Sequence, residues 1–232
     1  MIDTAQIAAL ERKVAELSHQ LALLEDAAAI RKLHHLYGYF IDKCLYEETV
    51  DLFADDGVVR FFGGIWKGKE SVRRLYVGRF RKNFTGDHNG PVDGFLLDHM
   101  QMQDVIDVAH DRRTAKARVR VFMAAGRHAD HGGPRQWWEG GLYENEYVRE
   151  DGVWKISVLN YHPQWHADYE TGWAHTRPSY LPFFEKTVAD GEPTGPDEID
   201  KSVWLWPQHD VLPFHNVHPV TGKPIAPQKR PR

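Results

Sequence analysis

The sequence predicts an α+β fold, with helices gathered in the first third of the chain and long antiparallel strands after them. Apolar residues recur at three- and four-residue spacings up to about residue 44, which is helical periodicity. From Phe95 onward, strand-like stretches alternate with tight-turn tripeptides. With 232 residues and 42% hydrophobic content, the chain is long enough for one large domain, or one domain plus appendages.

Ile7, Leu10, Val14, Leu17, Leu21, Leu24 and Ala28 form a heptad seam, so residues 1–25 are expected to be a helix that docks on a partner subunit or on its own domain. A second helix is expected from about Asp26 to Cys44. Ile30, Leu33, Leu36, Tyr37, Phe40 and Ile41 supply its apolar surface, and His35, Tyr39 and Asp42 align as a polar face. Tyr46 to Phe53 reads as a short helical turn closed by an Ala54–Gly57 loop. Val58 to Phe62 is β-branched and aromatic, turns at Gly63-Gly64, and continues or pairs back through Ile65 to Gly68. Lys69 to Phe80 is a third amphipathic helix. Strands are then expected over Phe95–Val108, Thr114–Ala125, Gln136–Arg149 and Val153–Tyr161. Asp111 to Arg113 and Glu150 to Gly152 supply the turns. From Gln164 onward the strands are expected to stop, leaving a segment rich in Pro, Trp and His with one helix near Ser179 to Asp190.

Composition excludes several function classes. A net charge of −4 argues against a nucleic-acid binder that works by neutralising phosphates. No stretch approaches the ~20 apolar residues of a membrane span, and no apolar signal-peptide core stands at the N-terminus. One cysteine, Cys44, rules out an internal disulfide and suits a reducing compartment, so the expected location is the cytoplasm. His162 with His166, and His128 with His131, have metal-like spacings without flanking carboxylates or cysteines, and among 14 histidines such pairs arise by chance. The Gly-rich 126–133 stretch lacks the strand–helix context of a phosphate cradle. The 8 Trp, 9 Tyr and 11 Phe suit either an aromatic core or a pocket for a flat ligand.

Four pieces of text, in order, resemble the SnoaL-like branch of the NTF2-like superfamily: Ile30 to Asp42, Phe53 to Gly57, Trp66 to Glu70, and Tyr147 to Ile156. The resemblance covers residues 26–163. It implies a cone, in which a strongly curved antiparallel sheet wraps around helices and leaves a deep pocket. Residues 164–232 have no counterpart in small members and are expected to act as a lid or a subunit contact. Scytalone dehydratase and hexachlorocyclohexane dehydrochlorinase are similar members that eliminate without a cofactor, pairing a helix carboxylate with a strand histidine. Their matches are Asp42 and His99. An arginine of the dehydrochlorinase falls at Leu159, which argues against halide chemistry. The extended length and the Tyr161-His162-Pro163-Gln164-Trp165-His166 text also resemble the diarylpropane lyases (γ-formaldehyde lyases). That resemblance implies a two-ring phenolic substrate, a quinone methide intermediate, and no metal or organic cofactor.

The catalytic residues expected on this basis are Asp42, His99 and Tyr39, the last as donor to a leaving hydroxyl, as holder of a phenol, or as simple packing. Strand alternation places Gln101 and Gln103 on the face of His99. Arg118 and Arg120 share a face that either binds an oxyanion or looks outward. Glu139, Gly141, Tyr143 and Asn145 share another, and Tyr143 matches a position that lines the pocket in scytalone dehydratase. Tyr161, His35, Arg79, Trp66 and Trp138 complete the expected substrate-binding set. Trp165, Trp173, Trp204 and Trp206 are expected in walls or a lid. The expected activity is a cofactor-independent lyase on a small aromatic substrate, working as a homo-oligomer (dimer or trimer). Its rivals are a dehydratase or isomerase on another ring system, and a non-catalytic binding module.

Overall fold

The computed structural model describes residues 4–132, 135–175 and 193–226. Helix α1, Thr4–Asp42, is one continuous element with no break at residues 25–26. Its second half packs on the sheet through Asp26, Ile30, His34, Tyr37, Gly38 and Ile41. In the first half Leu10, Val14, Leu17, Leu21 and Leu24 are each more than half exposed, so these seam residues are left largely uncovered by the described residues. Cys44 ends the helix at φ +54°, and the Leu45 N–H returns to the Phe40 carbonyl at 2.8 Å.

Helix α2, Tyr46–Asp51, leads into β1, Phe53–Phe61. The expected Ala54–Gly57 loop is instead the start of that strand, with an irregular register between Phe53 and Val58 that absorbs the extra residues. Strand β2, Gly64–Lys67, pairs back on β1. The third amphipathic segment runs as α3, Lys69–Arg73, a π-helical stretch over Arg74–Arg81, and α4, Lys82–Thr85. Strands β3 (Phe95–Val108), β4 (Thr114–Arg127), β5 (Arg135–Glu150) and β6 (Val153–Asp168) follow. Strand β6 outruns its expected end at Tyr161, because β5 offers pairing partners as far as Trp137 against Asp168.

The sheet order is β3-β4-β5-β6-β1-β2-β7, where β7 is the two-residue Glu198–Ile199 on the edge of β2. Every pairing is antiparallel except β1 with β6, which is parallel, so the sheet is mixed at that seam. The sheet does not close, and α1 with the 69–85 helix fills its concave side. That is the expected α+β cone. Val119, Val121, Tyr143, Tyr147, Ile156 and Leu159 face this core with Ile30, Tyr37, Val72, Leu75 and Tyr76. No helix among the described residues is long and apolar enough to cross a membrane. The helix expected near Ser179 to Asp190 lies outside the described residues.

Candidate active site

The floor of the cone is held by a buried polar chain. Placing His34 against the sheet requires partners for both ring nitrogens, and the structure supplies them. Nε2 bonds the Gln101 side-chain oxygen at 3.0 Å. Nδ1 lies 3.2 Å from the Tyr147 hydroxyl and 3.3 Å from the Asn145 amide. An amide oxygen only accepts, so Nε2 carries the hydrogen and Nδ1 accepts. Burial pushes the His34 pKa down to about 4, which keeps the ring neutral. Gly38 lets α1 sit this close, since a Cβ there would stand 2.8 Å from Gln101 Cγ.

Above this floor a cavity of about 140 Å³ opens between the helices and the sheet. Tyr37 and Ile41 of α1, Leu75, Tyr76, Phe80 and Phe84 of the 69–85 helix, and Phe61 and Phe62 supply aromatic and aliphatic walls. His99 and Leu97 of β3, Met123 of β4, Trp137, Glu139 and Tyr143 of β5, and Tyr161 of β6 line the sheet side. The hydroxyls of Tyr37 and Tyr76 meet at 3.0 Å. Burial holds the phenols of Tyr37, Tyr76, Tyr143 and Tyr161 well above the usual phenol range, so they act as neutral donors and acceptors.

Two polar pairs face this cavity. At the end of α1, Asp42 Oδ1 accepts from the His99 backbone N–H at 2.8 Å and lies 2.7 Å from His99 Nδ1. A carboxylate takes the Nδ1 hydrogen, which leaves the Nε2 lone pair as the basic site. On β5 and β6, Tyr161 donates its hydroxyl hydrogen to Glu139 Oε1 at 2.6 Å. Burial pushes the Glu139 carboxyl up to about 7, against the opposing pull of that hydrogen bond.

Of the residues expected from the sequence, Asp42, His99, Tyr143 and Tyr161 come together around the cavity, with Gln101 just behind it. The others do not. Tyr39 is 68% exposed and His35 only half-buried, because the docked face of α1 runs through His34, Tyr37 and Ile41. Trp66 is fully buried among core side chains away from the cavity lining. Arg79 is half-buried on the π-helical stretch and does not line the cavity. A register shift between Gln101 and Asp104 turns Gln103 out to solvent. Arg118 and Arg120 project from the outer face. Arg118 pairs with Glu144, donates to the Pro213 carbonyl at 2.7 Å and lies 3.9 Å from the Phe214 ring. Arg120 is exposed. Trp138 packs outside against Phe122 and Tyr169, and its neighbour Trp137 turns inward instead. Trp165, Trp173 and Trp206 line a separate groove, and Phe214 covers the outer face over Arg118.

Sequence reasoning missed His34, Trp137 and the pairing of Glu139. Ile30 and Ile41 already marked a buried stripe on which His34 falls four residues after Ile30. Counting back by twos from Tyr143 reaches Glu139 and Trp137, never Trp138.

A family profile described as a SnoaL-like domain matches residues 22–160. No curated protein sequence matches the chain significantly. Among solved structures the chain is similar to hexachlorocyclohexane dehydrochlorinase LinA-type3 from Novosphingobium barchaimii, at 20% identity over 68% of this chain and 99% of that one, with a TM-score of 0.53. It is similar to a candidate scytalone dehydratase from Novosphingobium aromaticivorans, at 20% identity over 69% and 93% of the two chains, TM-score 0.50. A candidate aromatic ring hydroxylase from the same organism gives 19% identity over 62% and 94%, TM-score 0.51. At these identities the likeness carries the fold alone.

Proposed function

The chain belongs to the SnoaL-like domain family, and from that footing we propose that it is a cofactor-independent lyase acting on a phenolic diaryl substrate. The observation that carries this reading is the Asp42–His99 pair on the wall of an aromatic-lined cavity. The carboxylate orients the imidazole and stabilises the cation formed when Nε2 takes a proton. On a 1,2-diarylpropane-1,3-diol the benzylic hydroxyl departs as water and the phenolic ring becomes a quinone methide. The terminal hydroxyl then loses its proton, formaldehyde leaves, and the released electron pair becomes the stilbene double bond. His99 is the proton-transfer group of this sequence, and the substrate's own phenol is the electron sink.

The enclosed volume of about 140 Å³ resembles the roughly 150 Å³ cavity that takes up benzene, so it seats one ring. A second ring would extend past Trp137 toward the strand ends at Phe95 and Ala125, where an open groove shares Trp137 with the cavity. The same volume favours one alternative reading, a dehydratase on a single hydroxylated ring. The test is incubation of purified, chelator-treated protein with a phenolic 1,2-diarylpropane-1,3-diol. Formaldehyde release with growth of stilbene absorbance is expected. Unchanged substrate, together with turnover of a smaller hydroxylated ring, would replace the lyase reading with the dehydratase one.

A further inference from the structure

We propose that Glu139 and Tyr161 form a second proton-transfer station of this cavity, in which the Glu139 carboxyl donates its proton to the hydroxyl oxygen of an aryl ligand held against His99. The catalytic part of this proposal rests on the lyase reading, while the binding part stands apart from it.

Strand register places the two stations. His99 is paired with Met123, and Met123 with Glu139, so the residues stand on one row of the sheet two strands apart. At the usual strand spacing their backbones are about 10 Å apart, with only the Met123 side chain between them on that row. A phenolic ring bearing a hydroxylated side chain, lying in the cavity over Met123, would span the two stations. Glu139 is 6% exposed, and its hydrogen-bond partner is a phenol rather than a cation. Among the described residues it has no cationic partner, and a buried carboxylate without one is costly, so the site favours the neutral acid.

The sequence is shaped to hold Tyr161 there. A Cβ on Gly141 would stand 2.3 Å from Tyr161 Cε2 and 2.5 Å from its hydroxyl, so only glycine lets the ring lie across β5. The titratable groups around Glu139 are Tyr161 and the registered His166 on β6, Tyr143 on β5, His99 on β3, and Tyr37 and Tyr76 on the helices. The phenols stay neutral, and burial lowers the His166 pKa so that it too is neutral near pH 7.

The chemistry closes on itself. Glu139 protonates the benzylic oxygen, the C–O pair leaves with water, and the ring carries the charge as a quinone methide in its protonated form. His99 then takes the terminal hydroxyl proton, the C–C pair becomes the double bond, and formaldehyde departs. The proton on His99 returns to Glu139 through the product water, restoring both groups.

The test uses the full chain with 4-hydroxybenzyl alcohol, a single-ring probe, titrated by calorimetry between about pH 6 and 8. Wild type is expected to lose about tenfold in affinity across that range as the donor ionises. Glu139→Gln should bind with little pH dependence. Tyr161→Phe should move the loss to higher pH, since the phenol hydrogen bond favours the ionised carboxylate. Binding that is flat in wild type, absent at every pH, or unchanged in its pH dependence by Glu139→Gln overturns the proposal. In parallel, Glu139→Gln should reduce kcat on the diarylpropanediol by about 100-fold. If wild type is active and Glu139→Gln equals it, the donor assignment fails and the lyase reading stands. If wild type leaves the diarylpropanediol unchanged, the lyase reading fails, and the pH dependence of probe binding alone decides the Glu139 station.

Discussion

His99 places two donors on a single oxygen of Asp42: its backbone N–H at 2.8 Å and its ring Nδ1 at 2.7 Å. The backbone contact ties the end of α1 to β3, and the ring contact sets the tautomer. One carboxylate oxygen therefore couples the architecture to the chemistry of the imidazole.

Asp42→Asn separates these two jobs. The amide oxygen still accepts from the His99 backbone, so the fold should hold, with a shift in Tm of a few degrees at most. The same amide oxygen can still take the Nδ1 hydrogen, but the amide carries no charge to support an imidazolium. Turnover of the diarylpropanediol should fall by about 100-fold or more, chiefly in kcat. A folded Asp42→Asn protein with wild-type kcat would remove the dyad from the mechanism.

Two buried titratable groups make opposing demands on stability. The Glu139 carboxyl sits at about 7 in the fold against an ordinary 4.5, so the native state keeps a proton that the unfolded chain has lost. That stabilisation is complete below about pH 4.5 and is lost as pH rises through about 7. His34 sits at about 4 against an ordinary 6.5, so the unfolded chain takes up the proton first. Its stabilisation is present above about pH 6.5 and is lost as pH falls through about 4. Each contribution is on the order of 3 kcal/mol. Urea unfolding across pH should show Glu139→Gln losing the decline on raising pH from about 4.5 to 7, and His34→Gln losing the decline on lowering pH from about 6.5 to 4. Superimposable pH profiles of the variants and wild type would contradict both assignments.

The same residues show what could be read from the chain. The ends of β3 follow from local alternation and turn tripeptides, and Asp42 with His99 follows from text matched to a family whose fold brings them together. The docked face of α1 does not follow. His34 and His35 differ by 100° around the helix, each has apolar neighbours, and the choice is made by Gly38 closing on Gln101, a contact 63 residues away in sequence. Alternation says that Arg118 and Arg120 share a face but not which side is concave. That is set by α1 filling one side and Pro213 and Phe214 covering the other. Gln103 defeats alternation outright, because a register shift intervenes between Gln101 and Asp104.

Asp26 anchors α1 at the far end of the sheet. Its carboxylate accepts from Trp154 Nε1 at 2.9 Å and from Arg112 Nε at 2.5 Å, with Arg149 at 3.4 Å. Burial raises its pKa, but these donors outweigh that and hold the carboxyl below the usual carboxylate range. Asp26→Ala strands a buried indole N–H and leaves two guanidinium groups without their shared anion. A loss of about 3 kcal/mol in unfolding free energy is expected, while kcat at a temperature well below Tm should stay near wild type. A change under about 0.5 kcal/mol would show that the anchor is dispensable.

The exposed seam on the first half of α1 carries the last prediction. Leu17 is 55% and Leu24 is 70% exposed, in a stripe with Ile7, Leu10, Val14 and Leu21 that continues for several turns. β-branched residues at Ile7 and Val14, alternating with leucines at Leu10 and Leu17, suit knobs-into-holes packing between copies of the helix. We propose a dimer or trimer assembled through this seam. The 232-residue chain should then show a solution mass of two or three times 26.8 kDa by light scattering. Leu17 and Leu24 are largely exposed among the described residues, so replacing both by lysine should lower the mass without lowering the helical content of the core. Removal of residues 1–21 should do the same. A truncated protein whose mass per particle still counts the same number of chains would move the subunit contact elsewhere, to the outer face of the sheet or to the C-terminal extension.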